Sequence, residues 1–347
     1  MLKQLLCAVL FVGSTVCAAA PLEIGFDYEF ARLLSQAARD GVLDDKTAAQ
    51  VRALPASAAM VRKMRLKDTD ALIDYLRLMV AKPKMAEAAR VVAGELAAGK
   101  PGKYAPLGAE VVRQLGDYVP RQFGAKLTVY FIFGGNAGGF AFDDQIDNVY
   151  VNLAMLSQGS TQEVAELVAH ELFHAVQGHT MTTPPRPAPG SPVAGNGQVW
   201  LNRLLYDLVQ EGTAELFTHP LADRAETPYS ARSKARIERN ARRIGGIGTM
   251  FESLGMRLLL VPPRDEDHYE QIYGLMFYGD FDDLGYDLGW LMASTIINKD
   301  GKQAIYGLLR QPPKQFVLRY QELAQGDAKL PKFSDEFMRA VSALPPN

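Results

Sequence analysis

The 347-residue chain has two cysteines, Cys7 and Cys17, and both lie near its N-terminus. Downstream of Cys17 there is no material for a disulfide framework, a thiolate nucleophile or a Cys-ligated metal, which leaves histidine and carboxylate as the strong ligand types. Charge of one sign is also lacking. A net charge of −2 gives no reason to propose nucleic acid or an acidic membrane surface as partner. There is no internal repeat. Histidine is scarce, with five in all, so where the histidines stand carries information. The rest is ordinary: 48% hydrophobic and 22% charged residues suit a globular protein with a real core, and the length suits two ordinary domains or one large one.

The first twenty residues read as a secretory signal peptide. Lys3 provides the positive start, Leu5 to Val16 the apolar stretch, and Cys17-Ala18-Ala19-Ala20 the small-residue cleavage region. The apolar stretch is short for a membrane span and contains Gly13, Ser14 and Thr15. Cleavage near Ala19 predicts a mature protein without cysteine, periplasmic or secreted, held by its core alone. Acylation of Cys17 is the less favoured alternative, because Val16 is bulkier than the small residue expected there.

From Gly25 to about Ala98 the apolar spacing predicts several short helices, broken near Pro55 and Pro83. Leu127 to Phe133 and Asn148 to Leu153 are β-branched and aromatic and read as strands, with a flexible turn at 136–140 between them. Ser160-Thr161-Gln162-Glu163 is a capping box that opens a helix with Val164, Leu167, Val168, Leu172 and Val176 on its apolar face and Gly178 at its C-terminal turn. Residues 180–197 are rich in Pro and Gly and read as a surface loop. Further helices are expected at 199–219, 231–243, 282–297 and 314–324. The fold class is therefore α+β and predominantly helical. A helical region at 21–115 precedes a second domain at 116–347, whose last part is helical from about 230.

The most informative stretch is His170-Glu171-Leu172-Phe173-His174, an H-E-x-x-H motif on the capped helix. Residues four apart share a helix face, so the two imidazoles can converge on one metal ion, with Glu171 close enough to reach a water on it. Zinc hydrolases use this arrangement. Unpaired charge in so apolar a segment would be costly, and a metal resolves that cost. A catalytic zinc needs a third protein ligand. The metzincin spacing would place a Gly at 177 and a His at 180. The chain has Gln177 and Thr180, with Gly178 and His179 each one residue out of register. The other candidates are Glu211 and Glu215, two carboxylates on one helix face in Glu211-Gly212-Thr213-Ala214-Glu215.

With these residues the chain resembles the gluzincin class of zinc peptidases and is similar to bacterial zinc-dependent peptidases. The resemblance covers about 150–220 and implies a zincin-like fold with the small mixed sheet packed on the motif helix. It implies Zn²⁺ on His170, His174 and Glu211, with Glu215 orienting His170 through its other ring nitrogen. It also implies that the glycine-containing segment 134–142 before the second strand binds substrate backbone as an added strand. The implied activity is hydrolysis of a peptide or protein substrate by a zinc-bound water that Glu171 activates. An oxyanion donor is expected after the third ligand. Tyr286, in a glycine-flanked helix start, comes first, with His268 and Tyr278 behind it. A silent zincin-fold binding or scaffolding protein, or a zinc hydrolase of a non-peptide amide, are the rival readings. The run Arg232, Lys234, Arg236, Arg239, Arg242 and Arg243 reads as a solvated helix face, and Asp143, Asp144 and Asp147 as a polar turn rather than a calcium site.

Overall fold

The computed structural model describes residues 22–97, 102–120, 123–187, 190, 195–220 and 227–345; the signal-peptide segment lies outside them. Four strands form one mixed sheet: β1 (Glu23–Asp27), β2 (Lys126–Ile132), β3 (Gly139–Ala141) and β4 (Asn148–Asn152), in the order β1-β2-β4-β3. β1 and β4 flank β2 in parallel, and β3 pairs antiparallel to β4 at the edge. Helices account for most of the remainder, so the chain is α+β and predominantly helical. Between β1 and β2 come α1 (Glu29–Asp40), α2 (Asp45–Arg52), α3 (Pro55–Lys63), α4 (Thr69–Val80), α5 (Pro83–Glu95) and α6 (Leu107–Leu115). After β4 come α7 (Thr161–Thr180), α8 (Gly197–Thr218), α9 (Pro228–Ala241), α10 (Ile244–Leu260) and α11 (Glu266–Phe277). α12 (Leu284–Asp300), α13 (Gln303–Leu309), α14 (Pro313–Ala324) and α15 (Asp335–Ser342) complete the set. No helix among the described residues is long and apolar enough to cross a membrane.

Pro55 and Pro83 each open a helix, where a missing N–H costs nothing. The region expected to be helical from Gly25 instead begins with β1. This strand is short, contains a glycine, and finds its partner about a hundred residues later, so no local periodicity reveals it. The turn expected at 136–140 becomes in part β3, a three-residue strand that exists only by pairing with β4. α10, α11, α13 and α15 fall in the part expected to be helical from about 230, but no local spacing delimits them. α10 starts in a run containing Gly245, Gly246 and Gly248, which masks its helical spacing.

α7 is buried on nearly every side because it packs on β2, β3 and β4 and against α6 and α8. Ser160 caps it, accepting from the Glu163 N–H at 3.1 Å. The second half of the expected capping box is absent, because the Glu163 carboxylate instead accepts from the Thr227 hydroxyl. Thr227 is the N-cap of α9, so the bond ties the starts of α7 and α9 together. Gly178 lies in the last turn of α7, as expected. A Cβ there would meet the Ile146 side chain at 2.6 Å, so the glycine allows close approach. α12 lies backbone-to-backbone on α8 through Gly289 and Gly212, where a Cβ on Gly212 would stand 2.3 Å from the Gly289 Cα.

Candidate metal centre

The packing of α7 on α8 brings His170, His174 and Glu211 together, with one donor atom from each lying within 4.8 Å of the other two. Among the described residues this is the only such group of His, Cys, Asp or Glu. The rings of His170 and His174 are 4.9 Å apart and nearly perpendicular. His174 Nε2 lies 3.5 Å from Glu211 Oε2. That oxygen is buried and has no hydrogen-bond partner among the described residues. A buried carboxylate oxygen without a donor is costly, and a cation between these atoms removes the cost. The donor set and the orphaned oxygen therefore fit a divalent metal such as zinc.

Each donor is held from behind. The Thr218 hydroxyl donates to Glu215 Oε2 at 2.6 Å and lies 3.3 Å from His170 Nδ1, while Glu215 Oε2 itself is 3.8 Å from that nitrogen. The expected approach of Glu215 to His170 is thus shared with Thr218. Glu215 also accepts from Arg236 at 2.5 Å, and Arg236 stands 3.2 Å from Asp287. Asn240 donates to Asp287 at 2.5 Å. The solvated face expected for α9 does not include Arg236, whose side chain turns inward between two buried carboxylates. Arg239 and Arg243 do lie on the surface, both paired with Asp282. His174 is held by Gln177, whose Oε1 is 2.8 Å from its Nδ1. Gln177 in turn donates to the Gln210 carbonyl at 2.7 Å and the Thr213 hydroxyl at 2.8 Å. Sequence reasoning weighed Gln177 only as a failed metzincin glycine. The i,i+3 spacing from His174 is the signal that could have found it.

Glu171 is buried beside β3. A Cβ on Gly139 would stand 2.3 Å from Glu171 Oε1, so only glycine leaves this carboxylate its place. Burial pushes the Glu171 carboxyl up to about 7, His174 opposes the shift, and Glu211 adds to it. Burial also raises the Glu211 carboxyl and lowers the His170 imidazole. Tyr286 reaches the site from α12: it lies beside Glu211, and its ring stacks on His170 with the ring centres 6.4 Å apart. The two other oxyanion candidates are engaged elsewhere, His268 with Asp265 and Arg264, Tyr278 with Glu270. Asp143, Asp144 and Asp147 pair separately with Arg186, Arg62 and His179, as a polar turn would. A hydroxyl that the sequence did not single out, that of Tyr229, approaches Gly138 in the loop before β3.

Residues 103–329 match a family model described as "Putative zinc dependent peptidase (DUF5700)". No curated protein and no solved structure matches the chain. The matched span contains the whole of β2–β4 and α7–α12, and so every residue of this centre; β1 and α1–α5 precede it.

Proposed function

The chain belongs to this family of zinc-dependent peptidases, and from that premise we propose an exported metallopeptidase with zinc held by His170, His174 and Glu211. The observation that carries the reading is the convergence of three donors around the unpartnered oxygen of Glu211. Zinc bound there supplies a Lewis acid and acidifies a water in the position left open.

The chain's own residues supply the rest. Glu171 is next to the donors but not one of them, and it lies against the edge strand along which a peptide would run. A carboxyl held near neutral pH can both take a proton from water and return it to the leaving amine. Gln177 and the Thr218–Glu215 pair keep the imidazoles turned toward the centre. Tyr286, stacked on His170 at the edge of the centre, is the proposed donor to the carbonyl oxygen as charge builds there. Export rests on the N-terminal sequence, and N-terminal sequencing of protein recovered outside the cytoplasm checks it: a start near Ala20 is expected.

The deciding experiment incubates the mature protein with zinc and a mixed peptide library beside a Glu171→Gln control. Cleavage by the wild type alone is the expected result. Zinc bound by both with no cleavage by either would favour a binding or scaffolding module instead.

A further inference from the structure

Lys63, the last residue of α3, is exposed and forms no ion pair among the described residues. Its neighbour Arg62 is pinned in place, 4.0 Å from the centre of the Phe142 ring and 2.6 Å from Asp144 Oδ1. Lys63 Nζ stands 5.2 Å from the centre of the Phe140 ring. Phe140 is the middle residue of β3, and the residue before it, Gly139, faces Glu171. Side chains of a strand alternate between its faces. Glu171 therefore flanks one face of β3 and the Lys63 ammonium the other, at an edge of the sheet that no further strand covers among the described residues. The end of α3 is fixed beside this edge, since Met60 packs on Gly135 in the loop that follows β2.

This inference rests on the peptidase reading. We propose that Lys63 receives an anionic group of the substrate, a terminal carboxylate or an Asp or Glu side chain, from a peptide laid along the free edge of β3. An edge strand offers unpaired backbone groups to an extended peptide. A peptide paired there sends alternate side chains to the two faces, so positions near the scissile bond meet either Glu171 or Lys63. A lysine in no ion pair among the described residues, resting on an aromatic ring, gains more from an anionic ligand than a fully solvated lysine does. Lys63 precedes the family-matched span. On this reading the N-terminal helices set specificity, and the matched segment carries the chemistry.

The test measures equilibrium binding, so it does not depend on turnover. Zinc-loaded Glu171→Gln protein is titrated against fluorescent decapeptides by anisotropy. In one series a single Glu is walked through an otherwise neutral, amidated sequence. A second series carries Lys at the same positions, and one further neutral peptide has a free C-terminal carboxylate. The same measurements are made with Lys63→Met and Lys63→Glu in that background. Expected is a gain on the order of fivefold for one Glu position or for the free carboxylate, shrinking with added salt. Lys63→Met should abolish the gain and leave neutral peptides unaffected, and Lys63→Glu should move the preference to Lys at that position. The arm that responds tells a terminal carboxylate from a side chain. Binding with the same charge dependence in all three proteins overturns the proposal, as does an equal loss for neutral and acidic peptides. Failure of the peptidase reading itself gives a different result, no peptide bound by any of the three proteins.

Discussion

Glu171 is buried and Glu211 half-buried beside it, yet their surroundings differ in a way that separates their work. Glu211 turns a bare oxygen toward His174, whereas Glu171 lies against the strand edge. Glu171→Gln should therefore keep about one zinc per chain by elemental analysis and lower kcat by about 10²–10⁴-fold, the usual share of general acid–base catalysis. Glu211→Ala should lose zinc affinity and activity together. Glu215→Ala and Gln177→Leu should each cost about 10–100-fold in zinc affinity, because each frees an imidazole that is now oriented. If Glu215→Ala strips the metal and Glu211→Ala does not, the two carboxylates are reversed. His219 gives a pH test away from the donors. Burial against Trp290 lowers its imidazole to about 4, while the unfolded chain titrates near 6.5. Between those values the unfolded state binds more protons, so stability should rise with pH across that window. His219→Gln should remove this part of the slope, read from urea midpoints at pH 4 to 7. The centre was legible in the sequence where one helix states it: His170, Glu171 and His174 by their spacing, and Glu211 and Glu215 as a pair on a second helix. Arg236, Asn240 and Asp287 were not legible, because their burial depends on α12 packing onto α8 and α9 onto α12, which no local pattern records.

Among the elements, the sequence showed best those whose stability is local. α7 carries its cap and its apolar face within one stretch, and it forms where expected. β1 and β3 are strands only by virtue of partners, and β3 is the element that meets Glu171. Its one indispensable feature is the lack of a side chain at position 139. Gly139→Ala puts a methyl where the Glu171 carboxylate now lies. A misplacement of about 1 Å in a catalytic group can cost on the order of 10²-fold. The variant should hold zinc normally and lose activity on that scale, and full activity would mean that Glu171 works from another position. The glycine pair between α8 and α12 makes a different prediction. Gly289→Ala cannot be accommodated by a side-chain shift, since the added carbon meets the Gly212 backbone and the Leu208 carbonyl. Overpacking of this kind costs about 1–3 kcal/mol. It should also draw Tyr286 away from Glu211, so thermal stability and zinc affinity should fall together, as calorimetry and zinc titration would show.

At the scale of the whole molecule, the N-terminal segment and the catalytic segment share one sheet and one contiguous core. β1 pairs along β2, and Tyr28 stacks on Phe131 at 4.5 Å. The family-matched span expressed by itself would leave one edge of β2 unpaired and Phe131 without the rings of Phe26 and Tyr28. The metal is the other long-range tie, because its three donors come from two helices that the chain must first bring side by side. Without a cation, the folded protein carries a buried carboxylate oxygen with no partner and two imidazoles crowded beside it. The unfolded chain has no such assembled site. Zinc should therefore bind the folded form selectively and stabilise it by RT ln(1 + [Zn]/Kd), about 2.7 kcal/mol at a hundred times Kd. For a chain of this size that is a rise in Tm of roughly 5 °C. Dialysis against a chelator should lower Tm by that amount, and one equivalent of zinc should restore it. The His170→Ala/His174→Ala double variant should have a Tm that neither treatment moves. A zinc-dependent Tm that survives in the double variant would put the metal somewhere other than between α7 and α8.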